Sequence, residues 1–182
     1  MSDYPWADNG ELVACISVAV APSTEDAICA LQPDPVEVMS YDEARDVAWN
    51  GSETDVVNAI TIESGRHVII WEENGYLGST EEPFQRLAEP GPAGSLFVNV
   101  NAVSRLMLGR GGRIEREFGP LFRRDSDEGE GAPLAAEASL DWSMGHYLSS
   151  SLRLIASYTG LDEPFDPEWL DSSRARHWLL RY

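Results

Sequence analysis

The sequence predicts a single α+β domain, residues 1–182, with a mostly antiparallel sheet of about five to six strands covered by helices. Two observations support this prediction. The chain has 182 residues, of which 43% are apolar, and this size and composition suit one domain with one core. The apolar segments are also joined by short glycine-rich turns more often than by crossovers, and such turns connect antiparallel strands.

The N-terminal third of the chain predicts one strand and two helices. Residues 12–20 form a short, apolar, β-rich run that is typical of a strand. Two serines followed by acidic residues then mark helix starts, because such residues satisfy free backbone amides and suit the helix dipole. These signals predict helices from Ser23 to about Gln32 and from Ser40 to about Trp49.

The middle of the chain predicts two β-hairpins separated by a helix and a strand. The second arm of the first hairpin is apolar on both faces, which predicts a central position in the sheet. The turn of the second hairpin, residues 109–112, is rich in glycine. The predicted elements are strands at 56–62 and 67–71, a helix from Thr80 to Leu87, a strand at 96–101, and strands at 106–108 and 114–118.

The C-terminal part predicts an acidic loop followed by helices. Residues 123–133 combine acidic residues with glycine and predict a flexible, solvated loop. The clearest helix runs from about Asp141 to Thr159, with Gly160 as its terminating residue. Its apolar stripe consists of Met144, Leu148, Leu152, Ile155 and Tyr158. The remaining C-terminal residues are expected to add helices and no further strand.

The formal net charge of −18 is the strongest compositional signal. It argues against direct binding to nucleic acid or to an anionic membrane, since both would repel this chain. The excess is concentrated in residues 1–60, which carry 12 acidic residues and a single basic one, Arg45. Such asymmetry favours electrostatic steering toward a basic protein partner, although the charge could also serve only to keep the protein soluble.

The chain shows no sign of a membrane segment or an export signal. No apolar run approaches 18 residues, and the N-terminus lacks a basic region. Cys15 and Cys29 lie in apolar stretches with no disulfide or metal-binding pattern. The expectation is a cytoplasmic protein, while its oligomeric state is left open.

No pattern for catalysis, a metal or a cofactor emerges. His67, His146 and His177 are too widely spaced for a local metal motif, and the acidic loop does not fit the calcium-binding frame. The Gly-rich segment 109–113 could hold an anion, but a hairpin turn explains it. Ser143 resembles a nucleophile elbow without the required preceding strand, so we interpret it as a helix-start residue. We therefore predict no catalytic residue, no metal and no cofactor.

Polar residues beside the strongest β runs are the candidate partner-binding residues. They are Glu72, Glu73, Asn74, Tyr76, Asn99, Asn101 and Arg105. Asn99 and Asn101 are expected on one face of a strand, with Arg105 just beyond. A purely structural interpretation is also open, in which the asparagines bond neighbouring backbone at strand ends and Tyr76 packs.

Two of these segments carry a family resemblance. Residues 71–80, Trp-Glu-Glu-Asn-Gly-Tyr-Leu-Gly-Ser-Thr, and residues 98–105, Val-Asn-Val-Asn-Ala-Val-Ser-Arg, resemble a family of small uncharacterised actinobacterial proteins. Its members share a Glu-x-Asn-Gly-aromatic-x-Gly stretch and an Asn-Val-Asn-Ala segment ending in Arg. The resemblance spans roughly residues 4–165. It implies a cytoplasmic bacterial protein with no assigned reaction, so it transfers no catalytic residue.

Two functional hypotheses follow. The first is a non-enzymatic, acidic protein-binding domain of inhibitor or immunity type that acts on a basic partner, such as a toxin or another nucleic-acid-directed protein. The alternative is a small ligand-binding or hydrolytic enzyme with a polar pocket near Tyr76, Asn99, Asn101 and Arg105. A structural or regulatory subunit of a larger assembly is a third possibility.

Overall fold

The computed structural model describes residues 4–9, 12–32, 38–40, 42, 56–122 and 129–181. Within these residues, three α-helices separate groups of one to three strands. The strands are β1 (Ala14–Val20), β2 (Val38–Met39), β3 (Val56–Ser64), β4 (His67–Glu73), β5 (Ala93–Val98), β6 (Ser104–Arg110), β7 (Arg113–Phe118) and β8 (Ala175–Arg181). The helices are α1 (Thr24–Leu31), α2 (Glu81–Leu87) and α3 (Tyr147–Thr159), with five short 3₁₀ turns between elements.

The strands form one sheet in the order β2-β8-β3-β4-β1-β5-β6-β7. Every pair of neighbouring strands is antiparallel. The α+β prediction is thus confirmed, with eight strands in the described part of the chain where five to six were expected. Both predicted hairpins are present, and β4 occupies the predicted central position. The helix predicted from Ser40 to Trp49, apart from Ser40 and Asp42, lies outside the described residues, as do residues 123–128 of the predicted acidic loop.

The sheet has an apolar core on each face, because successive strand residues point to opposite sides. On one face, Ile16 and Val18 of β1 pack under α3, which also contacts β5. On the other face, Ala19 of β1 belongs to a core closed by α1 and α2. Cys15 and Ser17 point to this second face, so β1 places polar atoms beneath the segment that links β4 to α2.

The C-terminal segment is the clearest departure from the predicted secondary structure. Instead of a helix, residues 175–181 form β8, which pairs with β3 over its whole length. Trp178 and Leu180 alternate with more exposed residues and are buried, which is the period of a strand half covered by a core. The free backbone edge of β3 provides hydrogen-bond partners that no local sequence signal reveals.

The helix predicted from Asp141 begins only at Tyr147. A tight turn precedes it, in which the Asp141 carboxylate accepts a hydrogen bond from the Ser143 backbone amide at 2.9 Å. Met144 lies in this turn with its side chain 82% exposed, so it is not part of the buried stripe. The helix ends as predicted at Gly160, which adopts the left-handed conformation with φ of 74°. In the described part of the chain, no helix is both long and apolar enough to cross a membrane.

A buried ion pair attaches the segment after residue 128 to β7. Arg116 and Glu137 are 0% and 1% exposed, and Nε of Arg116 lies 2.9 Å from Oε1 of Glu137. A second guanidinium nitrogen donates to the other carboxylate oxygen at 3.2 Å. The third donates to the carbonyls of Glu130 and Gly131. The pair is therefore bidentate and enclosed, the geometry in which an arginine charge is best satisfied.

Helix α1 begins with the predicted cap. The Ser23 hydroxyl oxygen accepts a hydrogen bond from the Asp26 backbone amide at 3.1 Å. We expect Ser23→Ala to lower the free energy of unfolding by about 1 kcal/mol, measured by urea denaturation. Ser157→Ala, on the exposed side of α3, is the control and should change stability by less than about 0.5 kcal/mol. Equal midpoints for Ser23→Ala and the unmodified protein would contradict a stabilising cap.

Candidate functional site

The predicted site residues gather at one end of the sheet. The register places Glu73, the last residue of β4, opposite Ala14 of β1. Ala14 in turn faces Val98, the last residue of β5, and Val98 faces Ser104, the first residue of β6. The segment after β4 and the loop from Asn99 to Val103 therefore leave the sheet at the same end. Sequence spacing alone did not show that these two motifs are neighbours.

Glu72 holds the 3₁₀ turn that follows β4. Its side chain is fully buried, and each carboxylate oxygen accepts one backbone hydrogen bond. Oε2 accepts from the Leu77 amide and Oε1 from the Gly78 amide, both at 2.8 Å. The turn, Leu77–Ser79, packs across β1, β5 and β6. Glu72 thus acts inside the protein by fixing the segment that carries Tyr76.

A small polar cluster surrounds the Glu72 carboxylate on the face of the sheet that α1 and α2 cover. Cys15 Sγ lies 3.3 Å from the Ser95 hydroxyl, and Ser17 donates to the same hydroxyl at 3.1 Å. Burial raises the pKa of the Glu72 carboxyl to about 7, against the opposite effects of the Gly78 and Leu77 amides and of the Cys15 thiol. Burial and the nearby Glu72 charge raise the pKa of the Cys15 thiol well above its usual value. Cys15 is therefore a neutral thiol at physiological pH and not an activated nucleophile.

The two glycines of the Glu-x-Asn-Gly-aromatic-x-Gly stretch are required because no side chain fits at either position. A Cβ atom on Gly75 would lie 2.6 Å from Cβ of Glu72, and one on Gly78 would lie 2.2 Å from the Ser17 hydroxyl. Asn74 adopts a positive φ of 54°, a conformation that asparagine tolerates better than most residues. The stretch is thus the sequence required for a chain that turns back tightly over its own buried glutamate.

Arg105 connects the turn to the neighbouring hairpin. Its guanidinium donates to the Ser79 carbonyl and to Oε1 of Glu117, each at 2.7 Å. It also lines an open cleft of about 500 Å³ whose walls include several carboxylates. The acidic residues of that cleft are Glu81, Glu115, Glu117 and Glu130. Arg105 was among the predicted site residues but none of these acids was, because they come from three separate segments.

The two asparagines lie in a loop instead of on a strand face. β5 ends at Val98, and the Asn99 side-chain oxygen accepts hydrogen bonds from the amides of Asn101 and Val103, at 2.9 and 3.0 Å. Ala102 has a positive φ of 57°, so the chain reverses within these residues. The expected alternation through residue 101 is therefore wrong, since the side chain of Asn99 offers the backbone a local turn. Asn101 is exposed.

Glu73 points to the opposite face of the sheet from Glu72. It is half-buried, and its carboxylate accepts a hydrogen bond from Asn58 Nδ2 at 3.3 Å. Of the predicted residues, Asn74, Tyr76, Asn101 and the loop around Asn99 are the ones that face outward at this end. Glu72 is fully buried beneath the turn, and Glu73 is half-buried on the other face of the sheet.

Exposed apolar side chains mark this end of the sheet, and sequence analysis missed two of them. Among the described residues, four large apolar side chains are exposed, and three lie here: Tyr76 at 47%, Val100 at 79% and Val103 at 51%. Val100 follows an alternating β pattern, which predicted a strand and hence partial burial, whereas Val103 lies between two predicted strands. We call Tyr76 and residues 99–103 the loop patch. Within the described residues, no three His, Cys, Asp or Glu side chains converge as metal ligands.

Comparisons with known proteins agree with the resemblance seen in the two motifs. Residues 1–140 match the model of a family described as a family of unknown function, DUF6461. No curated protein and no solved structure matches the chain. The matched region includes both motifs, the turn held by Glu72 and the whole loop patch. Because it covers well over half of the 182 residues, the chain belongs to this uncharacterised family.

Proposed function

We propose that this protein is a non-enzymatic acidic binding protein of inhibitor or immunity type, and that it binds a basic protein partner through the loop patch. The exposure of Tyr76, Val100 and Val103 together at one end of the sheet carries the proposal. Exposed apolar side chains gathered in one place are typical of protein interaction sites. Aromatic residues such as Tyr76 are also enriched among residues that dominate binding energy.

Charge favours a basic partner. The chain has a net charge of −18. Arg105 donates to the Ser79 carbonyl in the turn that follows Tyr76, and it also lines the cleft rich in glutamate. An apolar centre beside a charged margin is the usual anatomy of a protein interface. Complementary charge would accelerate association and make its rate sensitive to salt.

The proposal predicts that a basic protein is retained by the unmodified chain and lost by a loop-patch variant. The variant combines Tyr76→Ser, Val100→Ser and Val103→Ser, which remove exposed apolar area without touching the buried core. Immobilised protein would be exposed to native lysate at about 50 and about 500 mM salt, where surface charges are weakly and strongly screened. We expect weaker retention at high salt, and at least about tenfold weaker retention by the variant at either salt.

Met144→Ser is the matched control, because Met144 is equally apolar and 82% exposed but lies before α3. It should retain the partner like the unmodified chain. Equal capture by the loop-patch variant and Met144→Ser would refute the assignment of the interface. Failure to retain any basic protein at either salt would refute the proposed function.

A ligand-binding or hydrolytic enzyme is the second candidate function. The cleft of about 500 Å³ beside Arg105 favours it, since its size suits a small molecule. Among the residues proposed for such a pocket, Asn99 has a side-chain oxygen that already accepts hydrogen bonds from two backbone amides. Substrate turnover by the purified chain that Glu81→Gln abolishes would favour this candidate over the first.

A further inference from the structure

We propose that Glu72 is a proton-operated latch on the turn Leu77–Ser79, which is held closed while the carboxyl group is protonated and loosens when the group ionises. The latch is a property of the fold and does not depend on any partner. Its consequence for the loop patch rests on the function proposed above.

The geometry encloses the carboxyl group completely in the closed turn. Its two oxygens meet the Leu77 and Gly78 amides at 2.8 Å. The backbone of Gly78 is so close to β1 that a single added carbon would overlap the Ser17 hydroxyl. Water can therefore hydrate the Glu72 carboxylate only when the turn lifts away from the sheet.

Two opposing effects act on the charge of this group. Hydrogen bonds from two amides favour the ionised form, whereas burial without a counter-ion favours the neutral form. In the described part of the chain, no arginine forms an ion pair with Glu72; the nearest guanidinium contact of the turn is Arg105 on the Ser79 carbonyl. Burial is the larger effect and raises the pKa of Glu72 to about 7.

The direction of the pH dependence follows from the difference in the pKa of Glu72 between the open and the closed turn. An exposed glutamate has a pKa of 4.5, and the enclosed one about 7, so the closed turn binds the proton more tightly than the open turn. The closed turn is therefore most stable below about pH 4.5, loses stability as the pH rises to about 7, and stays weaker above it.

Other titratable or charged groups on the neighbouring elements do not replace Glu72 in this role. The Cys15 thiol on β1 has a raised pKa and stays neutral. β5 carries no titratable residue, and α2 presents its two acids to solvent. On β4 itself and on the strands and helix packed around it, the titratable and charged residues besides Glu72 are Cys15, Glu63, His67, Glu73, Glu81, Glu82, Arg86, Arg105 and Arg110.

Opening the turn would alter the loop patch directly. The Tyr76 carbonyl accepts hydrogen bonds from the Ser79 amide at 2.9 Å and from the Ser79 hydroxyl at 2.8 Å. Loss of the turn releases these bonds and frees the backbone that positions Tyr76. Under the proposed function, partner binding should then weaken between pH 6 and pH 8.

Amide hydrogen exchange of the full chain, read by NMR, tests the latch without a partner. Exchange rates at pH 5.5 and pH 8 are each divided by the intrinsic rate at that pH. Linkage predicts that the protection of the Leu77 and Gly78 amides falls roughly 30-fold over this range if opening hydrates Glu72. The Ala102 and Gly112 amides, which donate to the carbonyls of Asn99 and Ala88, should keep their protection. Unchanged or increased protection of Leu77 and Gly78 at pH 8 would overturn the latch.

A direct titration provides a second, independent measurement. The ¹³C shift of the Glu72 carboxyl in the unmodified protein should change with a midpoint near pH 7, and a midpoint near pH 4.5 would overturn the latch. Glu72→Gln, if it folds, should show pH-independent protection of the same two amides. A confirmed latch together with failed partner capture would refute the proposed function alone.

Discussion

Replacing Glu137 with alanine is expected to lower the free energy of unfolding by about 3–5 kcal/mol, the largest single effect we predict. The substitution removes the carboxylate that meets Arg116 through two hydrogen bonds, at 2.9 and 3.2 Å, while Arg116 stays 0% exposed. A guanidinium cannot shed its charge as a carboxyl group can. The carbonyls of Glu130 and Gly131 and the ring of Phe118, 4.7 Å from the guanidinium carbon, also contact Arg116 but carry no formal charge. Urea denaturation followed by circular dichroism measures the loss.

Glu82→Ala is the matched control for this prediction. Glu82 pairs with Arg86 at 2.8 Å, nearly the same distance, but its side chain is 84% exposed. Removing an exposed pair should cost less than about 0.5 kcal/mol. A Glu137→Ala loss no larger than that of Glu82→Ala would show that Arg116 finds hydration or another partner, and would contradict an enclosed ion pair.

Replacing Gly78 with alanine is expected to lower the free energy of unfolding by about 2–3 kcal/mol. The added methyl group would lie 2.2 Å from the Ser17 hydroxyl and 2.9 Å from Oε1 of Glu72. Both neighbours are held in place: Ser17 bonds to Ser95, and Glu72 bonds to the turn itself. The turn must therefore move away from the sheet, which breaks at least one amide bond to Glu72. Thermal and urea unfolding should both report the change.

Gly145→Ala separates this steric effect from the general effect of replacing a glycine. A Cβ on Gly145 would meet nothing within 4 Å, and the residue precedes α3 in an exposed turn. Its stability should stay within about 0.5 kcal/mol of the unmodified chain. If Gly78→Ala is as stable as Gly145→Ala, the turn does not lie tightly against β1 and the close packing is wrong.

Local signals explain which parts of the fold could be predicted from sequence. The Ser23 cap, the glycine-rich turn at residues 109–112 and the stop at Gly160 each depend on residues a few positions apart. The first hairpin was predictable for the same reason, since its two arms and its turn are contiguous. Elements of this kind need no knowledge of where the rest of the chain lies.

Long-range partners explain what was missed. The segment that forms β8 has a mixed pattern, and only the open edge of β3 makes it a strand. The alternation through Val100 and Asn101 continued that of β5, but the Asn99 side chain turns the chain one residue after Val98. In neither case does the competing interaction leave a periodic signal in the segment itself.

The candidate site likewise combines features that local sequence reveals with features that depend on distant segments. Its two motifs were recognised by residue type, yet their roles were not. Glu72 was proposed as a contact for a partner, whereas it lies inside the fold and holds the turn. Val100, which faces outward, was interpreted as part of a strand, and Val103, which also faces outward, was assigned no role. Exposure of a side chain depends on neighbours from distant segments, so no pattern within one segment determines it.

By itself, the sequence determined the α+β class, the hairpins with their turns, the cap at Ser23, the helix end at Gly160, the acidic character and the family motifs. All of these depend on composition or on backbone preferences that act over a few residues. The tertiary structure decided which glutamate is buried, that the turn after β4 and the loop after β5 meet at one end of the sheet, and which apolar side chains are left exposed. These features arise from strand register and from exclusion of water between segments far apart in the chain, as when β8 at the C-terminal end pairs with β3.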